Sequence, residues 1–504
     1  MKGAVAAGDR LTAEAAAEVL RAGGNAFDAA VAAAFASPMC EPALTSAGGG
    51  GFLLAVSPDQ PPVLYDFFVD VPPKRIDNPN FYPITVDFGD AKQVFHIGAG
   101  SVAVPGFVAG LLRVHSEKGR LPLKEVLSPA LSYARRGVYL SPTQASFVKL
   151  LEPIFTATSY SRKVFAPGGK LIDERTLFKN SDYANFLELL IEEGQWAFYE
   201  GEIADAIERV SVEEGGLIRK EDLERYKVVE RRPLSFQFKG REVLTNPPPS
   251  SGGILVAFTL SLLEKTDLSR WGFLEHLSSL IEAMATTEVF REKFVNGHLH
   301  DENLEDLLSR EEVTSTYERL FNMRLNLWGN TTHVSVLDSE GNGVSMTTTN
   351  GEGSGVVVPG TGVMLNNMLG EEDLNPRGFF KWPPYVRLPS MMSPTAVVAT
   401  SGVELLLGSA GSNRIRSAIV NVILNYIVFK FSVEESIELP RVHYEKGRVF
   451  IEPGYDESLL NVLKEHYRLV QFRERNMFFG GVQAVDFNYR GKGDPRRGGV
   501  FLRV

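Results

Sequence analysis

A threonine hydroxyl attacks a carbonyl only when something takes its proton, so threonines that gather at one point raise the question of their base. Two such groups stand in the segment GNTTHVSVLDSEGNGVSMTTTNGEGSG, Gly329 to Gly355. Asn330-Thr331-Thr332-His333 lies near its start and Thr347-Thr348-Thr349 toward its end. No histidine or aspartate follows at the spacing of a familiar triad. A threonine at a free N-terminus needs none, because its own α-amine, with a reference pKa near ~8, is substantially neutral at pH 7 and can act as the base. That chemistry requires cleavage of the Asn330-Thr331 bond. The same residues admit plainer readings: Asn330-Thr331-Thr332 is a formal glycosylation sequon, and β-branched residues commonly open strands.

The elements that must position these threonines are legible in the spacing. Val334, Val336, Val344 and Met346 alternate with Ser335, Leu337, Ser345 and Thr347 on either side of the turn Ser339 to Asn342, the period of a β-hairpin. With Asp338 paired to Gly343, Thr349 falls opposite Thr332 and beside Thr331, within one or two residues of register. Upstream, Thr12 to Phe35 carries apolar residues at helical spacing with a break at Gly23-Gly24-Asn25, which predicts two packed helices. TSAGGGGFLLAVS and PVLYDFFVDVP predict strands. The middle third, Pro105 to Arg291, is mostly helical in pattern, and the charged run Asp301 to Glu318 suggests a solvated helix or surface loop. From Thr331 onward strand patterns dominate (THVSVLD, GVSMTTT, GVMLNNM, TAVVAT, VELLLGS), followed by a core helix from Ala418 and a closing strand pair near Val482 and Val500. Helix-rich first and strand-rich later implies an α+β fold of layered sheets and helices.

Composition narrows the function classes. The 504 residues carry 52 Lys and Arg against 62 Asp and Glu, a formal charge of −10, which disfavours nucleic acid as a partner. One cysteine, Cys40, sits in an apolar run, where it reads as a buried small hydrophobe, and it leaves no intrachain disulfide or four-thiolate zinc site. The eight histidines are scattered without an HExxH pattern, so neither a metal nor another cofactor is expected. Asp9 and Arg10 interrupt any apolar leader, and AIVNVILNYIVFKF falls short of a membrane span, so a cytoplasmic protein without a membrane partner is expected. This also weakens the sequon reading. GAGSVAVPG has the spacing of a dinucleotide fingerprint, but Pro105-Gly106 occupies the first turn of the helix it would need.

Beside these residues stand stretches that together resemble the γ-glutamyltranspeptidase family of N-terminal-nucleophile hydrolases. They run nearly end to end: EVLRAGGNAFDAAVA, GGGGFLL, VPGFVAGLLRVHSEKGRLPLKEVLSPALSYARRG, NPPPSSGG, NTTHVSVLDSEGN, TGVMLNN, SMMSPT, LGSAGSNRIRSA and GDPRR. The resemblance implies a four-layer αββα fold and autocatalytic cleavage between Asn330 and Thr331. Residues 1–330 would form a large subunit and 331–504 a small one, intertwined in one domain and open to homo-oligomerisation. It implies Thr331 as nucleophile, Thr349 as its hydrogen-bonding neighbour, and the N–H groups of Gly411 and Ser412 as the oxyanion hole. The implied substrate is a small-molecule or peptide amide of the γ-glutamyl class, glutathione included, its acyl group passing to water or an amine.

The departures concern substrate binding. Where the family carries an arginine that clamps an α-carboxylate, this chain has Phe68 in DFFV. The acidic residue for the α-amine falls at Glu371, the paired serines become Ser390-Met391, the second glycine of the oxyanion turn becomes Ser412, and Asn350 matches the family's asparagine with a gap just before it. A carboxylate-dependent γ-glutamyl specificity is therefore not expected, and an amine-bearing acyl group suits Glu371 beside Phe68 and Met391. A non-catalytic binding or structural relative of the same fold is the alternative.

Overall fold

The computed structural model describes residues 1–87, 92–266, 268, 270–296, 298–301, 304, 330–400 and 402–504. Apart from Asp301 and Leu304, the charged run 301–318 lies outside the described residues. Two antiparallel sheets form the centre. The first orders its strands Val500–Arg503, Gly3–Ala7, Thr332–Asp338, Gly343–Thr349, Gly50–Ser57, Gln60–Phe67 and Val229–Arg231. The second runs Gly491–Lys492, Gly481–Asp486, Gly402–Ala410, Thr395–Ala399, Arg241–Thr245 and Leu234–Phe238.

The two strands of the threonine hairpin are buried on both faces, because helices cover one side and the second sheet the other. Their period of two sorts the side chains accordingly. Val334, Val336, Val344 and Met346 join the apolar cluster built with the helices Arg10–Arg21 and Ala26–Cys40. Ser335 and Ser345 face the other way and donate to Gln483 and Leu407 carbonyls of the second sheet at 3.1 and 2.9 Å. Helices Ser251–Leu263, Leu274–Phe290 and Arg414–Ile423 share a second cluster with that sheet. Helix, sheet, sheet and helix make the layered α+β fold expected from the sequence pattern and the four layers that the resemblance implies.

Several sequence expectations need correction. The hairpin register differs by one residue: Gly343 faces Leu337 and Thr348 faces Thr332. The cause is Asp338, whose N–H bonds the Asn342 carbonyl at 3.0 Å while its carboxylate takes the N–H groups of Glu340 and Asn342, which draws it into the turn. Continued one step, the observed register brings Thr349 opposite Thr331 rather than Thr332. The middle third also holds three short strands, Val229–Arg231, Leu234–Phe238 and Arg241–Thr245, among its helices, the second with Leu234, Phe236 and Phe238 alternating with Ser235 and Gln237. GVMLNNM contributes only the short strand Val363–Met364. The strands near Val482 and Val500 do not pair with each other: one extends the second sheet, the other the first.

Two carboxylates on the helix-facing side tie the hairpin down at either end. Asp338 accepts the N–H of Ala26 at 2.9 Å, the first residue of its helix, besides Glu340 N, Asn342 N and Asn342 Nδ2. Glu41, where the same helix ends, accepts the hydroxyls of Thr12 and Thr332, both at 2.7 Å. Burial, reinforced by Asp9, raises its pKa from 4.5 to about 7.

Asp338→Ala strands four donors and is expected to lower unfolding stability in urea by about 3 kcal/mol; a loss below about 1 kcal/mol would show that the turn stands without it. For Glu41 the folded state keeps its proton to about pH 7, whereas the unfolded chain releases it near the ordinary value. The stability that this proton contributes is therefore complete below that ordinary value and is lost as pH rises through about 7, an effect on the order of 3 kcal/mol. Glu41→Gln, which keeps partners for both hydroxyls, is expected to flatten the fall in melting temperature between pH 5 and 8. An unchanged slope would contradict this assignment.

Candidate active site

The open end of the hairpin brings Thr331 and Thr349 together against the second sheet. Both are buried and both line one cleft. The Thr349 hydroxyl donates to the main-chain carbonyl of Asn330 and accepts the Gly351 N–H at 3.0 Å. The carbonyl of the 330–331 bond is thus already polarised by a donor, with the Thr331 side chain next along the chain. The Asn330 side chain is buried with neither its oxygen nor its nitrogen hydrogen-bonded.

His333 is the nearest imidazole in sequence, but it cannot supply the missing base. Its ring nitrogens lie 2.7 Å from the Thr347 hydroxyl and 3.0 Å from that of Ser335, and full burial pushes its pKa down to about 3. It is a neutral, saturated part of the sheet interface.

Facing the hairpin, the strand Gly402–Ala410 ends in a sharp turn. Gly411 has φ +122° and Ser412 φ +50°, after which helix Arg414–Ile423 begins. A Cβ on Gly411 would come within 3.0 Å of Gly480 Cα, so the turn needs glycine there. Ser412 occupies the left-handed region at a cost of ~1 kcal/mol for a residue with a Cβ, and its hydroxyl donates to Asp373 at 2.6 Å. That bond fixes the side chain that replaces a hydrogen atom. Asn413 follows, donating to Glu445 at 2.9 Å and, more weakly, to Asp373 at 3.4 Å.

Three acidic residues converge beyond Thr349. Glu352 accepts from Asn367 Nδ2 at 3.2 Å, and burial raises its pKa to about 8. Glu371 is pushed well above the usual range by burial, then by Glu352 and Asp373. Its carboxyl lies so close to the turn after Thr349 that a Cβ on Gly351 would stand 2.4 Å from Glu371 Oε1. Glu352 and Glu371 in this arrangement keep their protons unless a cation arrives.

The opposite wall is apolar. Phe68 is fully buried, stacks on Phe52 with 5.4 Å between ring centres, and lines the cleft with Met391. Behind it, Asp66 is held by Arg231 and Arg387, each at 2.8 Å, and Arg387 reaches Asp70 at 2.6 Å. These arginines neutralise carboxylates of the fold and leave the Phe68 wall without a free guanidinium. Ser390 also lines the cleft; its carbonyl takes the N–H groups of Ser251 and Gly252, and its hydroxyl accepts from Met392 N at 3.1 Å.

The structure thus gathers Phe68, Asn330, Thr331, Thr349, Glu371, Ser390, Met391 and Ser412 around one cleft. Gly411 lies just behind Ser412, outside the lining. Asn350 is not brought to the cleft: it is buried, with its amide oxygen lacking a partner. Sequence reasoning missed Arg291, Asp373 and Asn413 in the wall. The oxyanion-turn stretch that already included Asn413 pointed to it, whereas Arg291 stands in no motif. Among the described residues no group of acidic, histidine and cysteine side chains is arranged to hold a metal ion, and no helix is long and apolar enough to cross a membrane.

A family model described as Gamma-glutamyltranspeptidase matches residues 12–504. The chain is 28% identical over 538 residues to the glutathione hydrolase proenzyme of Escherichia coli (strain K12), spanning 98% of this chain and 90% of that one. It is 31% identical over 508 residues to the Acylase ACY 1 proenzyme of Pseudomonas sp. (strain V22), spanning 97% and 90%. Its fold matches the crystal structure of cephalosporin acylase from Bacillus halodurans with a TM-score of 0.86 at 24% identity, over 99% of this chain and 95% of that one. Matched from the first helix to the last strand, the chain belongs to the γ-glutamyltranspeptidase family, whose named members include hydrolase and acylase proenzymes.

Proposed function

We propose that this protein is a self-processing N-terminal-threonine amidohydrolase or acyltransferase. The observation that carries the reading is the Thr349 hydroxyl on the Asn330 carbonyl. In the uncut chain the Thr331 hydroxyl attacks that carbonyl carbon, and charge develops on the oxygen that Thr349 already holds. Collapse expels the Thr331 nitrogen, converting the amide to an ester. Water then hydrolyses the ester, leaving Asn330 as a carboxylate and Thr331 with a free α-amine and a free hydroxyl. Residues 1–330 become the large subunit and 331–504 the small one.

In the processed enzyme the Thr331 α-amine takes the proton of its own hydroxyl as the oxygen attacks the substrate amide. The N–H groups of Gly411 and Ser412 receive the developing oxyanion, a contribution of ~3 kcal/mol for each donor. The amine leaves with the proton, and the acyl ester on Thr331 passes to water or to an acceptor amine. No cofactor takes part.

The walls select the acyl group. An ammonium meeting Glu371 releases the proton that burial otherwise keeps there and relieves the crowding with Glu352 and Asp373. Phe68 and Met391 offer apolar contact where a cationic clamp would hold an α-carboxylate. Glutathione-like γ-glutamyl amides remain within the chemistry, but the wall favours amine-bearing acyl groups that do not depend on that carboxylate. The named relatives, a glutathione hydrolase and an acylase, bracket this range.

On a denaturing gel the wild-type chain is expected to resolve into bands of two-thirds and one-third of its length, and Thr331→Ala into one full-length band. N-terminal sequencing of the smaller band should begin at Thr331. A single wild-type band after long incubation would refute self-processing. Thr349→Ala is expected to slow the splitting by about 10²-fold and Thr349→Ser to restore most of the rate; equal rates in all three would remove Thr349 from the reaction.

A further inference from the structure

Three buried guanidinium groups of the core meet carboxylates: Arg387 meets Asp66 and Asp70, Arg441 meets Asp494, and Arg496 meets Glu452 and Asp494. The cleft holds an arginine for which this is not so. Arg291 follows the helix Leu274–Phe290 directly and lines the cleft with Thr331, Glu371 and Ser412. Its Nη1 donates to Asn413 Oδ1 at 3.0 Å, while its Nε is buried without a hydrogen-bond partner. No carboxylate of the described residues forms an ion pair with it. Those nearest are engaged elsewhere: Asp373 accepts from Ser412 and Asn413, and both oxygens of Glu288 accept the Lys446 N–H at 3.0 and 2.8 Å. Glu445 accepts from Asn413; Glu288 lies close enough to attract the Arg291 charge, and the buried guanidinium of Arg416 close enough to repel it.

A buried N–H of a cation with no acceptor costs free energy that neighbouring neutral groups do not return. An anion entering from the cleft would meet a guanidinium that lines it and has no ion pair among the described residues, in the planar fork suited to a carboxylate. We infer that Arg291, oriented by Asn413, binds a carboxylate of the substrate. This inference rests on the amide-cleaving reading of the cleft and moves anion recognition from the wall of Phe68 to the wall of the oxyanion turn. The substrate class it assigns is an amide bearing a free carboxylate that reaches Arg291 when the carbonyl lies over Thr331. Either half of the amide can supply that carboxylate, and the two sources are separable by choice of substrate.

The direct test is calorimetric titration of glutarate, and of its uncharged diamide, into the purified protein. Glutarate is expected to bind the wild type at least tenfold more tightly than Arg291→Ala, with Arg291→Lys between them and the diamide insensitive to all three. Glutarate affinity equal in wild type and Arg291→Ala, or absent from the wild type, would overturn the assignment. Melting curves establish that each variant is folded, and Arg291→Lys keeps the comparison interpretable if Arg291→Ala is not. The turnover test compares glutaryl p-nitroanilide, charged in the acyl half, and butyrylglycine, charged in the leaving half, each with its uncharged counterpart. Arg291→Ala should reduce the preference for the charged member at least tenfold through KM in the half that reaches the guanidinium; an unchanged preference in both halves overturns the inference. A chain that neither splits nor cleaves any amide would refute the proposed function, while the glutarate titration would still decide the role of Arg291.

Discussion

The hydrogen bond from Thr349 to the Asn330 carbonyl depends on a register that cannot slip. A shift by one residue in a β-hairpin turns every side chain to the opposite face, which here would send Thr349 toward the helices and Val344 and Met346 toward the second sheet. The buried faces prohibit that: one is filled by the apolar packing of the first two helices, the other by serine hydroxyls matched to carbonyls of the facing strands. Asp338 at the turn and Glu41 beside Thr332 hold the two ends of the same strand to the two ends of a single helix. The placement of Thr331 and Thr349 is therefore set by packing over the whole hairpin and not by local bonds at the threonines.

Around this fixed point the cleft is chemically mixed. Glu371 and Asp373 line it, Arg291 lines it as well and shares the Asn413 side chain with Asp373, and Phe68 with Met391 supplies a stretch without charge. Burial keeps the proton on Glu371, and Arg291 has no ion pair among the described residues. An arrangement of this kind is complementary to a ligand that carries separated charges of its own, and it penalises one that leaves either region unanswered.

The parts of this design that were legible in the sequence are those governed by short periods. The alternation from Val334 to Thr347 identified the hairpin, and helical spacing from Thr12 to Phe35 with the Gly23-Gly24-Asn25 break identified the pair of helices that covers it. Register was legible only to one residue, because it turns on which backbone groups the Asp338 carboxylate captures, a three-dimensional competition that no spacing encodes. The strands between Val229 and Thr245 escaped notice for a different reason: each is only three to five residues long, too short for its period to stand out among the surrounding helices, although Leu234, Phe236 and Phe238 do alternate with Ser235 and Gln237. Arg291 was invisible because an arginine after a helix ordinarily faces water. Its meaning comes from Asn413, more than a hundred residues away, and from the cleft they share.

The strand Gly3–Ala7 lies between Thr332–Asp338 and Val500–Arg503, bonded to both. Division of the chain before Thr331 would leave a strand of the first fragment flanked on each side by strands of the second. Pulling the fragments apart would then mean opening two ladders at once in the middle of a sheet, so that folding must precede cutting. After such a cut the covalent tether that brought these strands together would be gone, and reassembly from the denatured state would become a bimolecular search. The mature protein would owe its persistence to the slowness of unfolding, having been assembled under conditions of connectivity that it no longer possesses.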